Sequence, residues 1–215
     1  MSIFEELAAN KGTVSSALGK ALAKKVLQEG QTSILTECID LVTYEKDDLK
    51  SKNIRAGAAK VVEIVAEKRP EMVAPRLEEL LPALSVQEPQ TRWMIIRTMG
   101  FCAHLNKSIA EKAIPYAKKY IEEKEGLIVA SSADLFLGDY GALSKEDAEI
   151  VFPILEYSME RAVKNEADWL LEAFYKLYAN LGEKEKNIVL KFAEDWQYSA
   201  RKSTQKRAKR ILKLR

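Results

Sequence analysis

The chain has 215 residues, of which 47% are apolar and 31% charged, with 9 Gly and 6 Pro. That is enough apolar surface for a sizeable core, and it excludes a collagen-like, low-complexity or disordered chain. The formal charge of +2, from 34 basic and 32 acidic residues, excludes a polycation that binds nucleic acid by bulk charge.

Taken in order, the apolar residues follow a helical period throughout, and no long segment alternates with period two. Residues 3–9 read as a short leading helix. Helix pairs follow at 13–28 with 31–43, at 53–68 with 71–84, at 90–104 with 108–122, at 127–140 with 145–162, and at 166–180 with 184–197. A final unpaired helix spans 203–214. Residues 44–52, YEKDDLKSK, form the most polar internal stretch and read as a loop. Glu29-Gly30, Arg69-Pro70, Gly126, Gly141 and Gly182 mark turns.

These pairs are copies of one unit. The segment from Arg55 to Ala66 aligns with Arg92 to Ala103 and with Val129 to Tyr140 at steps of 37, and with Ala167 to Tyr178 at a step of 38. Ile54, Ala58, Val61, Val62 and Val65 fall on one helical stripe. Ile128, Ser132, Leu135, Phe136 and Asp139 are their counterparts, and Leu170, Ala173, Phe174 and Leu177 continue the series. Val73, Leu77, Leu80, Leu81 and Leu84 define the second-helix stripe, matched by Ala113, Ala117, Tyr120 and Ile121. Pro75, Pro115 and Pro153 stand near the predicted starts of second helices, where a missing N–H costs nothing. Repetition with a period near 40 predicts an all-α, right-handed α-α superhelix of about five helix pairs, forming one domain over 1–215.

The chain resembles the HEAT-repeat family of α-solenoids. The resemblance rests on the two-helix period, on N-I-R-A-G-A-A at Asn53 to Ala59, on E-L-L-P-A-L at Glu79 to Leu84, and on P-Q-T-R at Pro89 to Arg92. Armadillo repeats have similar lengths but usually add a third short helix, which the pattern here does not show. The HEAT family often places an acid ahead of the arginine that opens a unit. Glu88 lies in that neighbourhood before Arg92, and the third opening has Val129 in place of arginine. The resemblance implies a curved surface offered to a partner, as in a family whose members are mostly not enzymes.

The sharpest local feature is the C-terminus. Residues 196–215 contain eight basic residues and no acid, leaving −6 on the rest of the chain. Arg201, Lys202, Lys206, Arg207, Lys209 and Arg210 are therefore candidates to bind an acidic partner or a phosphate backbone. The competing reading is a basic capping helix that docks through Ala208, Ile211 and Leu212. On the second helices, Lys112, Lys118 and Lys119 are candidates for a basic strip on the concave face, within a mixed set that also includes Arg76, Glu78, Glu79, Arg161 and Lys164.

Asp168-Trp169 and Asp195-Trp196 raise an alternative. HEAT-like DNA-alkylation-repair glycosylases are implied to hold a cationic lesion against aromatics and an acid. These dipeptides do not reproduce that family's local motifs, and helix packing accounts for tryptophans at such positions. Cys38, Cys102 and His104 assemble neither a zinc site nor a triad, and no phosphate loop is present. No metal or cofactor is implied. With no signal peptide and two cysteines expected to stay reduced, a cytoplasmic protein is expected. No apolar run reaches membrane length, so no membrane partner is expected. The expected function is a non-enzymatic scaffold that binds a protein partner on the concave solenoid face, with nucleic-acid binding or repair of alkylated bases as the alternative.

Overall fold

Side-chain hydrogen bonds open helices at Ser2 and Ser144, and glycines with positive φ stand at two other helix ends. The structure, a computed structural model, describes residues 2–9, 16–45, 49–123, 126–160, 162 and 167–215. Helix α1 (Ile3–Ala9) opens on a capping box, with Glu5 N–H donating to Ser2 Oγ at 3.2 Å and Ser2 N–H donating to the Glu5 carboxylate at 2.8 Å. Helix α2 (Ser16–Glu29) stops at Gly30, whose φ of 70° suits a residue without Cβ. Helix α3 (Thr32–Leu41) follows. Helix α4 (Leu49–Lys68) begins ahead of the predicted residue 53, so the end of the expected 44–52 loop is helical. Residues 46–48 of that loop lie outside the described residues.

The expected second helix at 71–84 is corrected. A 3₁₀ turn at Pro70–Met72 leads into a 3₁₀ segment at Ala74–Ser85, interrupted by a non-helical Arg76 (φ −112°, ψ 16°). Pro75 and Pro82 are the cause. Each lacks the N–H for an i→i−4 bond and crowds the preceding turn, which favours the tighter i→i−3 pattern.

Helix α5 (Pro89–Cys102) starts with proline in its first turn. The predicted 108–122 helix is two helices, α6 (Lys107–Glu111) and α7 (Ile114–Glu122). At the break, Lys112 and Ala113 donate to carbonyls three residues back. The third repeat thus contains the extra short helix that the sequence pattern did not show. Helix α8 (Leu127–Gly141) follows Gly126, with φ 102°. Helix α9 (Lys145–Glu160) opens on a box between Ser144 and Asp147, with Pro153 in its middle rather than near its start. Helix α10 (Ala167–Leu177) runs into a 3₁₀ turn at Tyr178–Asn180. Helices α11 (Glu183–Trp196) and α12 (Lys202–Leu212) complete the chain.

Contacts group the chain into two units, 1–113 and 114–215. In the first, α4 packs on α1, α2, α3 and α5, and the 74–85 segment packs on α5. Ile54, Ala58, Val61, Val62 and Val65 are all buried, as their stripe predicts. In the second unit, α8 packs on α7, α9 and α10, with Leu170, Ala173, Phe174 and Leu177 fully enclosed. Ile128 departs from the expected stripe and is 62% exposed. Gly138 sets the α8–α10 approach, since a Cβ there would lie 2.6 Å from Ala173 Cα.

Within each unit, side-chain ties recur about one repeat apart, and this shows the repeat register directly. In the first unit they are Arg55–Glu88, Arg76–Asp40 and Lys112–Glu78, separated by 33, 36 and 34 residues. In the second they are Lys176–Asp139, Arg201–Asp168 and Arg207–Glu172, separated by 37, 33 and 35. A chain whose repeats touch only their neighbours should pair residues at this spacing.

Candidate interaction surfaces

Thr204, Ala208 and Ile211 lie on one stripe of α12 and are buried against α10 and α11. Docking through that stripe splits the basic residues into two edges. Arginines take the edge facing the carboxylates of α10 and α11. Arg201 donates to Asp168 Oδ2 at 3.3 Å, and Ser203 Oγ donates to the same oxygen at 2.7 Å. Arg207 donates to Glu172 at 3.2 Å and stands 3.7 Å from Asp168. Arg210 donates to Glu172 at 2.6 Å and covers the Tyr175 ring at 3.7 Å. Arg215 pairs with Glu194.

Burial alone would raise the Glu172 pKa. The hydrogen bonds and charges of Arg210 and Arg207 outweigh burial and hold it below the ordinary glutamate range. Arginine suits this edge because its fork can bridge neighbouring carboxylates.

The other edge carries lysines. Lys202, Lys206, Lys209 and Lys213 are all exposed, and with Gln205 and Arg210 they line a shallow groove. None of the four makes a hydrogen bond or ion pair among the described residues. The predicted basic end is therefore both a docked cap, through its arginines, and an open charged surface, through its lysines. Of the six candidates there, Arg201, Arg207 and Arg210 serve the dock, while Lys202, Lys206 and Lys209 face outward.

The three candidate lysines elsewhere are each beside an acid. Lys112 donates to Glu78 at 2.6 Å in the first unit. Lys118 and Lys119 stand 3.8 Å from Glu122 and Glu123 in the second. Each charge is locally balanced. Arg161 and Lys164 lie outside the described residues.

A row on α5 was not singled out from sequence. Trp93, Arg97 and Phe101 recur at helical spacing and are each half-buried. Lys60, on α4, sits 5.2 Å from the Trp93 ring centroid, and Arg97 sits 4.5 Å from that of Phe101. Lys60 is oriented by Glu63 at 2.7 Å. The i, i+4, i+8 spacing was readable in advance, but the partner from α4 was not.

The Asp168-Trp169 pair does not form an acid beside an open indole. Asp168 is buried and engaged with α12, whereas Trp169 is 41% exposed. The alternative of base repair draws no support from this pair. Both cysteines are free and buried, and burial pushes each thiol up to about 12; at Cys38 the Glu37 charge adds to it. Cys102 faces Pro70 O at 3.7 Å, and His104 is exposed. Among the described residues, no helix is long and apolar enough to cross a membrane.

The sequence matches no described protein family and no curated protein. Solved structures do match. A designed armadillo repeat protein, YIII(Dq)4CqI, superposes with a TM-score of 0.70 at 13% identity, covering 98% of this chain and 97% of that one. An engineered protein superposes with a TM-score of 0.56 at 15% identity, covering 99% and 96%. At such identities the likeness concerns fold alone. The chain has an α-solenoid repeat fold of the armadillo-like kind.

Proposed function

We propose that this chain is a non-enzymatic interaction module, working as one repeat domain, that holds a protein partner against an exposed helix face. The observation that most supports it is the repeat fold. Repeats that contact only their neighbours leave a side of every unit open to a partner. The Trp93–Arg97–Phe101 row supplies the residue types that dominate binding energy at protein interfaces, already partly oriented by Lys60 and by one another. The buried carboxylate of Glu88 is taken up by Arg55 and Thr91, and Oδ2 of Asp168 by Arg201 and Ser203 beside the terminal helix.

The test is capture from an extract of the cells that make the protein, comparing the native chain with a Trp93→Ala, Arg97→Ala variant. A protein held by the native chain and lost with the variant is expected. Retention of nothing, or of the same set by both, contradicts the reading.

A further inference from the structure

The lysine edge of α12 is charged, rigidly presented and uncompensated. Its four lysines stand at intervals of four, three and four residues, which is one straight row of about 16 Å at 1.5 Å per residue. The helix beneath is fixed by its buried stripe and by the ties of Arg201, Arg207 and Arg210. The acids that neutralise the C-terminal segment are all on the opposite side of this helix. Most of the segment's net positive charge is therefore displayed along a single row.

The residues in the groove limit what can occupy it. Its lining is Lys202, Gln205, Lys206, Lys209, Arg210 and Lys213, with no apolar or aromatic side chain. A protein interface needs a desolvated apolar or aromatic centre and is depleted in lysine. A membrane surface would need several apolar residues to insert, but the apolar stripe of α12 is buried against α10 and α11, which leaves Leu214 as the exposed large apolar residue beside the row. Single-stranded nucleic acid is held by aromatic stacking; the Tyr175 face is covered by Arg210, and the exposed Tyr198 ahead of α12 does not line the groove. Lysine ammonium groups in a row, with nothing that reads bases, suit the phosphates of a double helix.

We infer that the lysine edge of α12 docks the phosphate backbone of duplex DNA without sequence preference. This surface is separate from the α5 row and does not depend on the protein-binding reading.

The experiment is fluorescence anisotropy of the full chain with a labelled 20-base-pair duplex, from 50 to 200 mM salt. Matched single-stranded DNA, duplex RNA, poly-glutamate and vesicles of mixed neutral and anionic phospholipid serve as further probes. Four phosphate contacts predict a log–log salt slope of about −3.6, a weakening of about 150-fold over that range. The variant K202Q/K206Q/K209Q/K213Q is expected to lose at least about tenfold in affinity at 50 mM and most of the slope. Because these side chains are exposed and make no hydrogen bond or ion pair among the described residues, its thermal midpoint should match that of the native chain.

Equal binding by the variant, no binding of duplex DNA at 50 mM, or tighter binding of any of the other probes would overturn the inference.

Discussion

The two units fasten neighbouring repeats by different means. In the first, Arg55 makes a two-pronged pair with Glu88 at 2.8 and 2.9 Å and donates to Tyr44 O at 2.8 Å. Thr91 Oγ donates to Glu88 as well. Every charge in that tie is enclosed and satisfied. In the second unit, the repeat positions of Arg55 are Val129 and Ala167, and no guanidinium is available there. The carboxylates of α10 are met instead from outside the repeats proper, by arginines of the terminal helix. An enclosed tie is costly to break on one side, because the remaining charge stays buried. In the α10–α12 ties Asp168 is enclosed, but Arg201, Arg207, Arg210 and Glu172 are partly open to water, which lowers the cost of losing one partner.

The largest expected effect breaks the enclosed tie. Arg55→Ala or Glu88→Ala should each destabilise by about 3–5 kcal/mol, measured by urea denaturation. Arg55→Met with Glu88→Leu should recover most of that. A loss below about 1 kcal/mol for the single variants would remove the contrast between the units. Next comes the α8–α10 approach, where Gly138→Ala forces a Cβ against the Ala173 backbone. Overpacking of this kind costs about 1–3 kcal/mol, and a thermal midpoint equal to that of the native chain would show that the two helices can part.

Acid sharpens the comparison further. Burial would raise the Glu88 pKa, but the hydrogen bonds from Arg55 and Thr91 bring it below the ordinary glutamate range. A folded pKa below the unfolded one means that the unfolded chain takes up its proton first. The stability from this pair is therefore present above about pH 4.5 and is lost as the pH falls through the folded value. The same sign holds for Glu172. Glu88→Gln should flatten this acid-limb loss when midpoints are followed from pH 6 to 3, and an unchanged pH profile would contradict the assignment. The smallest effect is expected at Lys112, whose pair with Glu78 is open to water. Lys112→Ala should change stability by less than about 0.5 kcal/mol.

Much of this was legible in sequence, because buried stripes at helical spacing and a recurrence near 37 residues reflect packing that every repeat needs. What was not legible depends on neighbours. The acid that serves Arg55 lies 33 residues after it, at the opening of the following repeat, whereas a motif search looks just before it. The 3₁₀ form of Ala74–Ser85 results from two prolines acting together, when one alone would only mark a start. Pro153 sits within α9 even though the helix starts at Lys145, where the apolar period places it, so this proline does not mark a beginning. The C-terminal charge was plain, but composition does not separate arginines from lysines. Only the buried stripe of Thr204, Ala208 and Ile211 shows that the arginines turn inward and the lysines outward.

That division of α12 is most directly tested by amide hydrogen exchange across residues 202–212. The native chain is compared with Asp168→Ala, Glu172→Ala and with the four-lysine variant. Removing the carboxylates should speed exchange of α12 selectively and leave α4 and α5 unchanged, while replacing the lysines should leave α12 as protected as in the native chain. Equal loss of protection in both variants, or none when the carboxylates are removed, would contradict the assignment of the arginine edge to docking and the lysine edge to contact.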